Sequence, residues 1–123
     1  RYIVQDDAKQ SKQATQFIEK NCTLITPGFI SSLVLCELVW VLESAYHYSK
    51  DEIAAVIEKI LRIRQFHIHE PELMWQSLRD YKENAADFSD HYLIHTHRQN
   101  DCAYTITFDK KAARLKNTKL LQL

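Results

Sequence analysis

The stretch Cys102-Ala-Tyr-Thr-Ile-Thr-Phe-Asp-Lys-Lys-Ala-Ala-Arg-Leu115 (CAYTITFDKKAARL) joins a run of aromatic and β-branched residues to an acid, and the acid to a run of helix formers. Cys102 to Phe108 therefore reads as a buried strand, and KKAARL as a short helix that Asp109 opens. A strand that ends in an acid and hands over to a helix is typical of a parallel α/β sheet. Ligands of such sheets gather in the crevice at the carboxyl ends of the strands.

The rest of the chain alternates in the same way. Asp7 can cap a first helix over about Lys9 to Lys20, with Ala14, Phe17 and Ile18 facing inward. CTLITPGFIS, punctuated by Pro27-Gly28, is a strand or extended link, and a second helix follows from about Ser32 to Tyr46. Ser49-Lys-Asp-Glu52 is a capping box for a third helix that carries Ile53, Val56, Ile57, Ile60 and Leu61 inward. QFHIH (Gln65 to His69) reads as a short strand whose His67 and His69 share one exposed edge. Pro71 starts a helix to about Ala85, and Asp87 or Ser89 caps another to about Asn100. The chain ends in the apolar tail KLLQL. The expected fold is α/β, with a mainly parallel central sheet flanked by helices in a single domain over residues 1–123.

Composition removes several function classes. Gly28 is the only glycine, so neither a P-loop nor a dinucleotide fingerprint is present. Sixteen basic and sixteen acidic residues cancel, so net charge says nothing about a polyanionic partner. Cys22, Cys36 and Cys102 are odd in number and contain no Cys-x-x-Cys, which favours reduced core cysteines. No apolar run approaches the roughly 18 residues of a membrane span and no signal peptide is visible, so the expectation is a soluble, cytoplasmic protein. The only methionine is Met74, and the chain opens on Arg1.

Three acidic positions stand out. In the second helix Leu33, Val34, Leu38, Val41, Leu42 and Ala45 trace an apolar stripe with Glu37 in its middle, so Glu37 is expected to be partly buried. It would then snorkel, pair with an arginine or serve a site. Asp87 and Asp90 lie three apart at a helix start, where they are either caps or ligands on one face. Asp109 is either the cap of KKAARL or a ligand in the sheet crevice. Acids from three elements aimed at one end of one sheet suit Mg²⁺ or Mn²⁺, which activate water and neutralise charge in phosphodiester cleavage.

A rival metal reading uses His91 and His95, four apart on one helix, with His97, and with Asp87 or Asp90 completing a zinc shell. Lys110, Lys111, Arg114, Lys116 and Lys119 form a basic rim that either guides an RNA backbone or is a solvated face. Trp40, Tyr46 and Trp75 read as packing residues rather than base-stacking platforms.

In combination and order, VLCELVWVLESAY, ADFSDHYLIH and TITFDKKAARL resemble the signature blocks of PIN-domain proteins, in particular the VapC-like toxins of bacterial toxin–antitoxin pairs. RYIVQDDAKQSKQATQFIEK resembles the segment that follows the first acid of those proteins. The resemblance implies a Mg²⁺- or Mn²⁺-dependent endoribonuclease that acts on RNA, a cognate antitoxin as protein partner, and a homodimer. Carried over by position, it makes Glu37 the second acid, Asp90 the third, Asp109 the fourth and Asp87 an accessory acid. Thr107 falls where a small hydroxyl residue lies near the site, and His91 adjoins Asp90 where it could meet a metal-bound phosphate. The family's first acid belongs to an Asp-Thr-Asn motif on an N-terminal strand, and this chain begins just after the place where that strand would end. Two expectations therefore stand beside the nuclease: a PIN-fold protein-binding module without catalysis, and a His/Asp zinc protein.

Overall fold

The computed structural model describes residues 8–122. Five α-helices and four short strands follow in the order α1 Ala8–Asn21, β1 Gly28–Ile30, α2 Ser32–Ser44, α3 Lys50–Leu61, β2 Phe66–Ile68, α4 Pro71–Glu83, α5 Phe88–Gln99, β3 Thr105–Thr107 and β4 Thr118–Leu120. A 3-10 turn, Ala112–Arg114, lies between β3 and β4. Every strand pairing is parallel, as expected. The strands nevertheless form two separate ladders, β1 with β2 and β3 with β4, rather than one central sheet among the described residues.

The core lies among the helices. Leu35, Val39 and Leu42 of α2, Ile53, Ala54, Ile57 and Ile60 of α3, Met74, Leu78 and Tyr81 of α4, and Phe88 of α5 make one buried cluster with Ile68 of β2. The capping box of α3 forms as read: Ser49 Oγ accepts from the Glu52 amide, and Glu52 Oε1 accepts from the Ser49 amide. Ser49→Ala should therefore lower stability by about 1 kcal/mol, visible as a shifted urea midpoint with an unchanged slope. The single glycine is explained by close approach. A Cβ on Gly28 would lie 2.9 Å from Cys22 Sγ and 3.3 Å from a ring carbon of Phe66.

Several expectations change at the surface. Asp7 as the first cap lies outside the described residues, and within α1 it is Ser11 that is buried while Phe17 is exposed. The inward face of α2 is Ser32, Leu35, Val39 and Leu42, which turns Leu33, Val34 and Trp40 outward, Trp40 at 67% exposure. This helix is apolar on nearly every side, so its periodicity cannot select one face. Glu37 is consequently exposed, not partly buried.

The strand expected over Cys102 to Phe108 is reduced to β3, with Ile106 and Phe108 exposed at its two-stranded ladder. Cys102 is exposed before it and is not a core cysteine, whereas Cys22 and Cys36 are half-buried; all three are free. KKAARL forms one 3-10 turn instead of a helix, and the apolar tail supplies β4. His67 and His69 do share an exposed edge beside buried Ile68, with Phe29 stacked on the His67 ring at 5.7 Å between centroids.

Candidate metal centre

Asp87, Asp90 and Asp109 come together: each offers a carboxylate oxygen within 4.8 Å of the others. Two local structures make this happen. Asp87 is the N-cap of α5, so Asp90 follows it on the first turn, where the Asp90 amide donates to the Asp87 carbonyl at 3.0 Å. Asp109 leaves the end of β3 and turns back. Its amide donates to Thr107 Oγ1 at 3.0 Å, and its Oδ1 accepts from the amides of Lys111 at 2.8 Å and Ala112 at 3.4 Å.

Asp109 thus caps the 3-10 turn with one oxygen while belonging to the acidic group, so its two readings are compatible. The same cannot be said of Asp87, whose side chain makes no capping hydrogen bond to α5. A cap without a cap bond leaves its carboxylate available to the group beside it. Thr107 holds the bend at which the chain leaves β3, which accounts for a hydroxyl residue two positions before Asp109.

Electrostatically the group is incomplete. Asp90 Oδ2 is buried and has no hydrogen-bond partner. Burial pushes the Asp90 carboxyl above the usual carboxylate range, and the neighbouring charges of Asp87 and Asp109 push it the same way. Three carboxylates of one sign, one with an orphaned oxygen, are a costly arrangement unless a cation offsets them. The donors are all hard oxygens, as Mg²⁺ and Mn²⁺ prefer. The residues fit such an ion. Asp90 faces a cleft of about 100 Å³ that it shares with Ile94, His97, Thr105, Thr107 and Ala112.

Glu37 stands on the exposed side of α2 and is not within this group. The histidines do not assemble a zinc shell among the described residues. His91 is buried, and burial pushes its imidazole pKa down. His95 Nε2 lies 2.6 Å from Asp80 Oδ2, and His97 Nδ1 lies 2.8 Å from Thr105 Oγ1. Their partners lie on α4 and β3, so spacing along α5 brings no common focus. Lys110, Lys111, Arg114, Lys116 and Lys119 are exposed, and the Lys119 ammonium sits over the Tyr104 ring at 4.0 Å.

Sequence reading missed several polar pairs that brace this region. Besides Asp80 with His95, Tyr81 Oη donates to Glu43 Oε1 at 2.9 Å, and Tyr92 Oη donates to Glu70 Oε1 at 2.6 Å. The partners lie 15, 38 and 22 positions apart, so no local spacing announces them. Burial and the Glu43 carboxylate both push the Tyr81 phenol up, which keeps it a donor.

Residues 2–117 match the family described as PIN domain. Neither a curated protein nor a solved structure gives a significant match to the chain. Among the described residues no helix is long and apolar enough to cross a membrane.

Proposed function

The chain belongs to the PIN domain family, whose members are generally nucleases and typically bind divalent metals, and from that premise we propose that it is a metal-dependent endoribonuclease of the VapC-like toxin kind. The observation that carries the proposal is the meeting of Asp87 and Asp90 from α5 with Asp109 from the end of β3, one of their oxygens buried and unpaired. In this reading the three carboxylates hold Mg²⁺ or Mn²⁺, which supplies Lewis-acid polarisation of a phosphoryl oxygen and an activated water. Glu37, exposed on α2, stands outside this group and takes no part in holding the ion in this reading. Thr107 fixes the turn that presents Asp109.

Lys110 and Lys111, next to Asp109 and without an ion pair among the described residues, are assigned to the RNA backbone, together with Arg114. They position the strand and carry no sequence information. His91 adjoins Asp90 and is held neutral by burial, so it serves as a hydrogen-bonding wall and not as a charge. A cognate antitoxin as inhibitor, a homodimer and a cytoplasmic location complete the proposal. The exposed apolar residues Leu33, Val34 and Trp40 around Glu37 support the protein partner, because a covering chain would bury them beside the acid.

Cleavage of single-stranded RNA by the full-length protein tests this reading. Hydrolysis should require Mg²⁺ or Mn²⁺, stop with EDTA, and fall on the order of a hundredfold or more in Asp90→Asn and in Asp109→Asn. Cleavage that persists in EDTA, or equals wild type in both variants, refutes it. A protein that binds the ion and an antitoxin but never cuts RNA would be the non-catalytic binding module instead.

The raised Asp90 carboxyl gives the pH dependence its sign. Asp90 must lose its proton to bind the ion, and it does so above the usual range, so Mn²⁺ affinity should rise with pH through the interval just above an ordinary aspartate titration. Calorimetric titration at about pH 5 should give clearly weaker binding than at about pH 7, by more than unperturbed aspartates with pKa near 4 would produce. Equal affinity at the two values would contradict this.

A further inference from the structure

We propose that a second pocket, separate from the acidic group and walled by α4, α5 and the segment after the 3-10 turn, binds a phosphate group of the RNA strand. This rests on the nuclease reading for the identity of the strand, but not for the presence of the site. The cavity has a volume of about 290 Å³ and is lined by Asp80, Asn84, His91, Arg98, Arg114 and Lys116, with Ile94 and Leu115 as its apolar wall.

Its charge balance is that of an anion site. Arg98, Arg114 and Lys116 form no ion pair with any described residue, so three cations reach one cavity uncompensated. The single acid, Asp80, is already occupied by His95 Nε2 at 2.6 Å. Asn84 adds an amide, although its Nδ2 also donates to the Asp80 carbonyl at 2.9 Å. The wall contains an unused polar atom as well. His91 is 3% exposed, and its Nε2 is buried without a hydrogen-bond partner. An isolated buried imidazole nitrogen costs free energy unless it gains a partner.

Phosphate is the ligand these groups select. Two guanidinium groups present planar forks suited to tetrahedral oxyanions, and the lysine adds a point charge. A planar carboxylate would use fewer of these donors. Arg114 follows Asp109 by five positions, and His91 follows Asp90 directly, so the elements that build the acidic group also build this pocket. A strand that crosses the acids therefore has a second phosphate anchor on the same two elements.

The test uses the protein's amide and arginine side-chain NMR signals during titration with inorganic phosphate at constant ionic strength. Arg98, Arg114 and His91 signals should move together. Arg98→Gln and Arg114→Gln should each weaken phosphate binding on the order of fivefold or more, while Lys59→Gln, which removes the same charge from α3, should leave it within about twofold. Absence of saturable shifts, or equal weakening by all three variants, overturns the site. An oligoribonucleotide added in EDTA, where the nuclease reading predicts no cleavage, should displace the phosphate. If it does not, the pocket takes free phosphate and the assignment to an RNA strand is overturned. Mn²⁺ titration of the same sample reads the acidic group separately: a chain that binds Mn²⁺ but no phosphate refutes the pocket alone, and the opposite pattern refutes the metal centre alone.

Discussion

Asp90→Asn should make the metal-free protein more stable while removing its affinity for divalent ions. The wild-type carboxylate is half-buried, has one oxygen without a partner, and faces Asp87 and Asp109 at close range. Its pKa in the folded chain lies above the unfolded value, for burial first and like charge second. The sign follows: the folded state holds this proton more tightly, so Asp90 adds stability while protonated. That contribution is lost as pH rises through the folded pKa. At neutral pH the charged form is therefore a burden on the folded state, which the neutral amide removes.

Thermal unfolding in EDTA should thus show a variant melting above wild type. Addition of Mn²⁺ should reverse the order, because only the wild type gains from ligand linkage. A variant that melts lower than wild type in EDTA would mean that Asp90 is a structural residue whose charge is already compensated. This stability cost at the metal centre is the pattern expected of a functional site.

Phe88→Ala should destabilise the chain by about 3–5 kcal/mol, the range for removing a fully buried aromatic side chain. Phe88 is 1% exposed, belongs to the main core and meets the Tyr81 ring edge-on at 5.8 Å between centroids. It also sits between Asp87 and Asp90, so the residue that anchors the first turn of α5 sets where both carboxylates stand. Phe88→Leu keeps most of the volume and should cost about 1–1.5 kcal/mol. The leucine variant is the informative one for function: folded, it should bind Mn²⁺ more weakly than wild type because the turn beneath the acids is less firmly held. Urea unfolding gives the stability, and Mn²⁺ titration of the leucine variant gives the coupling. A stability loss under about 1 kcal/mol for Phe88→Ala would contradict the packing described here.

What could be read from the sequence was whatever depends on local spacing. The capping box at Ser49, the proline start of α4 and the acid at the entrance of α5 specify their elements within a few residues, and the structure has them there. Asp87, Asp90 and Asp109 were nameable because each stands at a helix or strand end, where a carboxylate has either a capping or a ligand role. The facing of α2 was not legible, since a helix apolar all round gives its periodicity no preferred side, and Glu37 was placed inward in consequence. The strand over Cys102 to Phe108 was overextended because β propensity measures fit to a packed surface. With one ladder partner, Ile106 and Phe108 remain exposed. The polar pairs Asp80–His95, Tyr81–Glu43 and Tyr92–Glu70, and the basic pocket beside them, join residues far apart in the chain and became visible only in three dimensions.

The claim that matters most is that Asp87, Asp90 and Asp109 form one divalent-cation site. Electron paramagnetic resonance of free Mn²⁺, titrated into the wild type and into Asp87→Asn, Asp90→Asn and Asp109→Asn, tests it directly. A saturable loss of free signal is expected in the wild type, weakened in each of the three variants and most in Asp90→Asn. A wild type that leaves Mn²⁺ free, or binding that survives unchanged in all three variants, would contradict it.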